Sequence, residues 1–99
     1  MSAIDDIAAE RRQLVTTLGF GDGRADDFVL RQLARAAAAY ADFAGRTDDD
    51  RQRAVGGPAL WPWWTLGEWR PTADRRSDLV RAGALIVAEI ERLDRAAAR

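Results

Sequence analysis

RRSDLVRAGALIVAEIERLDRAAA, residues 75–98, carries the longest helical periodicity in the chain. It follows Pro71, with Thr72 or Asp74 as the candidate N-cap, and a proline ring cannot be part of a helix continuing from upstream. Projected at about 100° per residue, Leu79, Gly83, Ile86, Ile90 and Leu93 form one stripe, and Val80, Ala84 and Val87 an adjoining one. Between Leu79 and Ala88 roughly half the circumference or more is apolar, wider than one intramolecular neighbour covers. Two coverings are open: a second copy of the chain, or the tryptophan-rich segment upstream folded over the second stripe.

Working outward, two more helices are legible. Ser2 can cap a helix whose apolar positions Ile4, Ile7, Ala8, Leu14, Val15 and Leu18 recur at helical spacing and end at Gly19. A second is predicted to open at Asp26 or Asp27 and run through FVLRQLARAAAAYADFA to Gly45, a suitable C′ residue. Its alanines allow a neighbouring helix to approach closely. RTDDDRQRAVGGP, residues 46–58, reads as a polar loop with room for one short helical turn. The expected fold is all-α: a single domain over 1–99, a three-helix bundle-like protomer with an irregular tryptophan-rich loop, assembling as a homo-oligomer.

Length and composition set bounds. A domain of 99 residues buries only about two-thirds of its chain surface, which makes self-association a live expectation. Hydrophobic residues make up 47% of the chain, but many are alanines that remove little area from water, so the few large side chains must supply most of the burial energy. The net charge of −1 provides no global basic field for a DNA or RNA polymer or an anionic membrane. No segment reads as a signal peptide or a membrane span, which leads to the expectation of a cytosolic protein.

The chain has no histidine and no cysteine, which removes the commonest general base, the commonest transition-metal ligand and the most reactive nucleophile. Glu91 and Asp94 form an E-x-x-D pair, but the matching E-x-x-E of a helical nucleotide hydrolase is missing where the second helix reads AAAA. The run Asp48, Asp49, Asp50 lacks the spaced ligands and glycine of a calcium loop. GFGDG, residues 19–23, follows a helix instead of a strand and has no lysine after it, so it reads as a turn and not a phosphate cradle. The expectation is a non-enzyme with no cofactor and no metal site.

All 15 basic residues are arginine. A GC-rich genome produces that bias without selection, and it also supplies planar forks suited to phosphate and carboxylate. Arg11 falls within the apolar face of the first helix, where it needs an acid such as Glu68, Glu89 or Asp94, a snorkelling route to solvent, or an anion at a subunit junction. Arg81 has Asp78 three residues earlier as its expected partner. Arg31 and Arg35 share a narrow polar strip, for which solvation is the ordinary reading. Arg75 and Arg76 occupy a first helical turn, where the macrodipole disfavours cations, so either Asp74 and Asp78 neutralise them or an external anion does.

All four tryptophans fall in LWPWWTLGEWRP, residues 60–71. They can plug the end of a thin alanine-rich bundle, stiffened by Pro62 and Pro71, or present indole faces to a nucleobase with Arg70, Arg75 or Arg76 reaching a phosphate. Consecutive Trp63 and Trp64 do not easily point the same way, which favours a mixture of the two. The candidate ligand-binding set is Arg11, Trp61, Trp63, Trp64, Trp69, Arg70, Arg75 and Arg76.

The segments IAAERRQ, LARAAAAYA, WPW, W-R-P and DLVRAGALIVAEIERLDR together resemble a family of short phage and prophage proteins, over most of the chain. The resemblance extends to phage anti-CBASS sponges, small oligomers that sequester cyclic dinucleotide alarm signals. It implies non-catalytic binding of a small nucleotide, with the chain itself as the other partner. The segment LGFGDGRADDF departs from the family pattern, in which a tryptophan followed by acids and histidine often stands there. The alternative is a structural or protein-interaction module that uses the tryptophan loop and the broad helix face.

Overall fold

A computed structural model describes residues 2–18, 31–53, 61, 69 and 71–98, and among them the chain is all-α. Four helices lie among the described residues: α1 (Ala3–Leu18), α2 (Gln32–Ala44), α3 (Asp48–Arg53) and α4 (Arg75–Ala97). No helix among the described residues is long and apolar enough to cross a membrane.

The caps explain most boundaries. Ser2 Oγ accepts the Asp5 N–H at 3.1 Å and starts α1 where expected. Of the two candidates for α4, Asp74 is the cap: its carboxylate accepts the Arg76 N–H at 3.2 Å and the Ser77 hydroxyl at 2.7 Å, which holds its pKa below the ordinary carboxylate value. Thr47 Oγ1 accepts the Asp50 N–H at 3.1 Å, so Asp48, Asp49 and Asp50 form the first turn of α3. Acids there complement the helix macrodipole, which explains why the anticipated loop winds into six helical residues.

The predicted start of the second helix at Asp26 or Asp27 lies outside the described residues, but Arg31, whose φ of 66° is left-handed, bounds the helix that follows. A left-handed residue cannot be part of a right-handed helix, so α2 begins at Gln32, and a non-glycine residue in this region carries a strain of about 1 kcal/mol. Gly45 does end α2, but with φ −80°. Its N–H is shared between the carbonyls of Ala41 and Asp42, both at 3.1 Å, so the glycine's access to positive φ is not used.

α4 is the common element, packed against both α2 and α1. Its buried face lies beside the Leu79 stripe, whose covering the sequence left open. Ala82, Leu85, Ala88 and Glu89 are buried together with Asp78, whereas Leu79, Ile86, Ile90 and Leu93 stay about half exposed. The alanines account for the rotation. Ala36, Ala37 and Ala39 of α2 are buried in one cluster with Ala82, Ala84 and Ala88 of α4, and small side chains permit the closest backbone approach. Gly83 serves the same end toward α1: a Cβ placed there would lie 2.8 Å from Ile7 Cδ1.

Such a core is thin in area, and its largest fully buried side chains are Trp61, Tyr40, Leu14, Leu33 and Leu85. Truncating one of them removes much of the burial energy and leaves a cavity. Trp61→Ala is expected to cost about 3–5 kcal/mol and Leu85→Ala about 2–5 kcal/mol, measured by urea unfolding. Losses under 1 kcal/mol at both positions would contradict this core.

Candidate functional site

The aromatic residues form one cluster. The Tyr40 ring lies 5.5 Å from Trp61, edge to face, and 4.6 Å from Trp69. Trp69 is 5.5 Å from Phe43 and 5.2 Å from Trp61. Trp61 is only 1% exposed. Among the tryptophan calls, Trp61 is therefore a core plug with no face open to a ligand within the protomer, because the alanine-rich interface needs its volume. Trp69 is half-buried against the same cluster. Trp63, Trp64 and Arg70 lie outside the described residues.

The three described candidate arginines, Arg11, Arg75 and Arg76, are each matched to an acid on another element. Arg11 Nε donates to Glu91 at 2.6 Å, so the ion-pair reading has its geometry, but with an acid the sequence did not single out. Glu91 thereby faces Arg11 instead of converging with Asp94, and no group of three or more acids is gathered for a metal among the described residues. Arg76 pairs with Asp6 of α1 at 2.6 Å, not with Asp74 or Asp78. Arg75 donates to the Ala44 carbonyl at 2.6 Å and to Asp48 at 2.7 Å, closing the end of α2 and the start of α3. Arg81 reaches the Tyr40 hydroxyl at 3.4 Å and Glu10 at 3.7 Å, not Asp78.

Asp78 is engaged elsewhere. Its carboxylate is inaccessible to solvent and accepts three hydrogen bonds from two residues: Oδ2 takes Arg51 Nη2 at 2.8 Å, and Oδ1 takes the Thr72 N–H and hydroxyl, both at 2.9 Å. Arg51 also donates to the Thr72 carbonyl at 3.2 Å, and its guanidinium carbon lies 5.1 Å from the centre of the Phe43 ring. The Arg51 side chain is 9% exposed, yet its Nε has no hydrogen-bond acceptor. Sequence reasoning missed this centre. The available signal was the spacing Asp78, Ala82, Leu85, Glu89, which places two acids on the face that proves to be the core.

Beside the centre opens a cleft of about 560 Å³ between α3 and the segment leading into α4. Phe43, Pro71 and Ala73 give it apolar wall, and Asp48, Arg51, Gln52 and Thr72 supply polar groups. That size and mixture suit a small ligand. No known protein family, characterised protein or solved structure matches this chain. Function is therefore read from the chemistry of the cleft.

Two positive charges, Arg51 and Arg75, face two negative ones, Asp78 and Asp48, in and around it. The pairs differ in permanence. Arg51–Asp78 is buried and tied into further hydrogen bonds, whereas Arg75–Asp48 faces solvent, where such a pair is worth about 0–1 kcal/mol and is easily exchanged. An incoming anion can replace Asp48 on Arg75 at little cost.

Burial raises the pKa of Tyr40, and the hydrogen bond from Arg81 only partly offsets it. A raised value means that the neutral phenol stabilises the fold fully below the unfolded pKa, and that this contribution is lost as pH rises through the folded value. Tyr40 is the one tyrosine in the chain, so absorbance at 295 nm reports it alone. Ionisation is expected to begin above the ordinary value of about 10 in the folded protein and to return to it in denaturant. An ordinary titration in the folded protein would contradict the packing of Tyr40 against Trp61 and Trp69.

Proposed function

We propose that the chain is a non-catalytic binding protein that captures a small anionic nucleotide in the cleft between α3 and residues 71–73. The observation that carries the reading is a ligand-sized cleft walled by a rigidly held arginine whose Nε–H lacks an acceptor. A phosphate would draw on Arg75 by displacing Asp48, with Arg51 beside it, while Phe43, Pro71 and Ala73 offer apolar contact to a sugar or base. Of the arginines singled out from sequence, Arg75 is the one whose ion-pair partner lines this cleft. Trp63, Trp64 and Arg70 remain candidate ligand contacts on sequence grounds alone.

Binding of this kind sequesters by mass action: protein in excess over its dissociation constant depletes the free ligand and leaves a downstream receptor empty. That is the role of a phage-encoded anti-defence sponge acting in the host cytosol on a cyclic dinucleotide signal, the reading to which the sequence resemblance points. The absence of histidine and cysteine from the whole chain favours capture over turnover. The competing reading, a protein-interaction module, is favoured by the aliphatic side chains exposed on α4.

A panel of cyclic and linear nucleotides tests the proposal by calorimetry and thermal melts. The expected result is a raised melting temperature with at least one member, recovery of that nucleotide intact, and affinity that falls with added salt. Arg75→Gln is expected to weaken binding tenfold or more, about 1.4 kcal/mol, while the melting temperature of the unliganded protein moves little. No binding across the panel, or unchanged affinity in Arg75→Gln, would overturn it.

A further inference from the structure

The side chains that α4 leaves outside the protomer form a pattern of their own. Leu79 is 48% exposed, Ile86 49%, Ile90 52% and Leu93 52%. Leu79, Ile86 and Leu93 are spaced by seven, and Ile90 and Ala97 by seven between them, which is the a/d register of a helix that packs lengthwise against another helix; Gly83, in the same register, is taken by Ile7 of α1. Ile4, 75% exposed, lies one turn before Ile7, the residue packed at Gly83, and extends the patch onto α1.

We propose that this stripe is the contact surface for a second copy of the same chain, with α4 lying antiparallel to its counterpart across a two-fold axis near Ile86. This does not depend on the nucleotide reading. Three features select the occupant. The stripe is symmetric about its middle: Ile86 has a leucine seven residues to either side, so a two-fold axis sets Leu79 of one copy beside Leu93 of the other and Ile86 against itself, the self-complementarity of an isologous interface.

Charge agrees with that direction. Arg76 and Asp94 lie on the same flank of α4, five turns apart, so the antiparallel arrangement brings Arg76 of one copy, which also holds its own Asp6, toward Asp94 of the other at both ends. A parallel two-fold pair would set these flanks on opposite sides of the seam and make neither contact. Area agrees as well: five large aliphatic side chains, four about half exposed and Ile4 more so, taken from both copies with their polar rim, would remove on the order of 1,000 Å² from water, the threshold for a specific interface. Trp61 and Trp69 are not the occupants, because both are held at Tyr40 of α2 with their rings 5.2 Å apart.

The chain contains no cysteine, so one introduced thiol reports the contact cleanly. The full chain is expected to sediment at tens of micromolar with at least twice the single-chain mass, and Ile86→Asp to sediment as one chain. Ile86→Cys is expected to cross-link nearly completely between copies under mild oxidation, because a two-fold axis at that position brings the two thiols within bonding range. Ala38→Cys, on the exposed face of α2, is the control and is expected to stay uncross-linked. If Ile86→Asp fails to fold, the cross-link still decides the matter. A wild-type chain that stays single, an assembly in which Ile86→Cys does not cross-link, or an Ile86→Cys thiol shielded from reagent within a single chain would each overturn the proposal.

Discussion

A carboxylate with no access to water holds the functional end of this molecule together. Burying Asp78 costs several kcal/mol unless charge and hydrogen bonds are supplied, and Arg51 and Thr72 supply both. The arrangement rests α3 mainly on one side chain: α3 has six residues, none of them buried, and of its two ion pairs to α4 the Arg51–Asp78 pair is buried whereas Asp48–Arg75 faces solvent. The cleft lies where α3 meets residues 71–73, so its shape depends on that bond. A purely apolar contact would leave the short helix free to slide. A charged pair with a defined partner atom does not.

The rest of the protomer solves a different difficulty, that of a core rich in alanine. Close approach of α2 and α4 yields good packing but little buried area per residue. Trp61, Tyr40, Phe43 and Trp69 make up the deficit at one end, in edge-to-face and tilted contacts. Because the alanines turn α4 inward, its larger aliphatic side chains are turned outward. The thin core and the exposed stripe thus share one cause, and the charged pairs from α1 to α4, Asp6–Arg76 and Arg11–Glu91, bound the stripe's other side.

Local signals were legible and long-range ones were not. The starts of α1 and α4, the end of α2 at Gly45 and the all-α class follow from caps and periodicity, which act over a few residues. The left-handed turn at Arg31 carries no glycine or asparagine to announce it. Which part of the broad apolar face of α4 turns inward was not legible, because hydrophobicity ranks leucine and isoleucine above alanine, whereas packing against an alanine-rich neighbour reverses that order. The need of Arg11 for an acid was readable from its face of α1; that the acid is Glu91, 80 residues away, was not. Sequence proximity points Asp78 to Arg81, but Asp78 projects into the core, where Arg51 donates both to its carboxylate and to the Thr72 carbonyl.

The dependence of the cleft on its buried ion pair is tested most directly by a double-mutant cycle on Arg51 and Asp78, with stability read from urea unfolding. Each alanine substitution alone strands an uncompensated partner and is expected to cost about 3–5 kcal/mol, while the double substitution costs less than the sum by at least about 1.5 kcal/mol. Two small and additive losses, each under about 1 kcal/mol, would mean that Arg51 and Asp78 do not hold α3 in place, and the account of the cleft would fail with them.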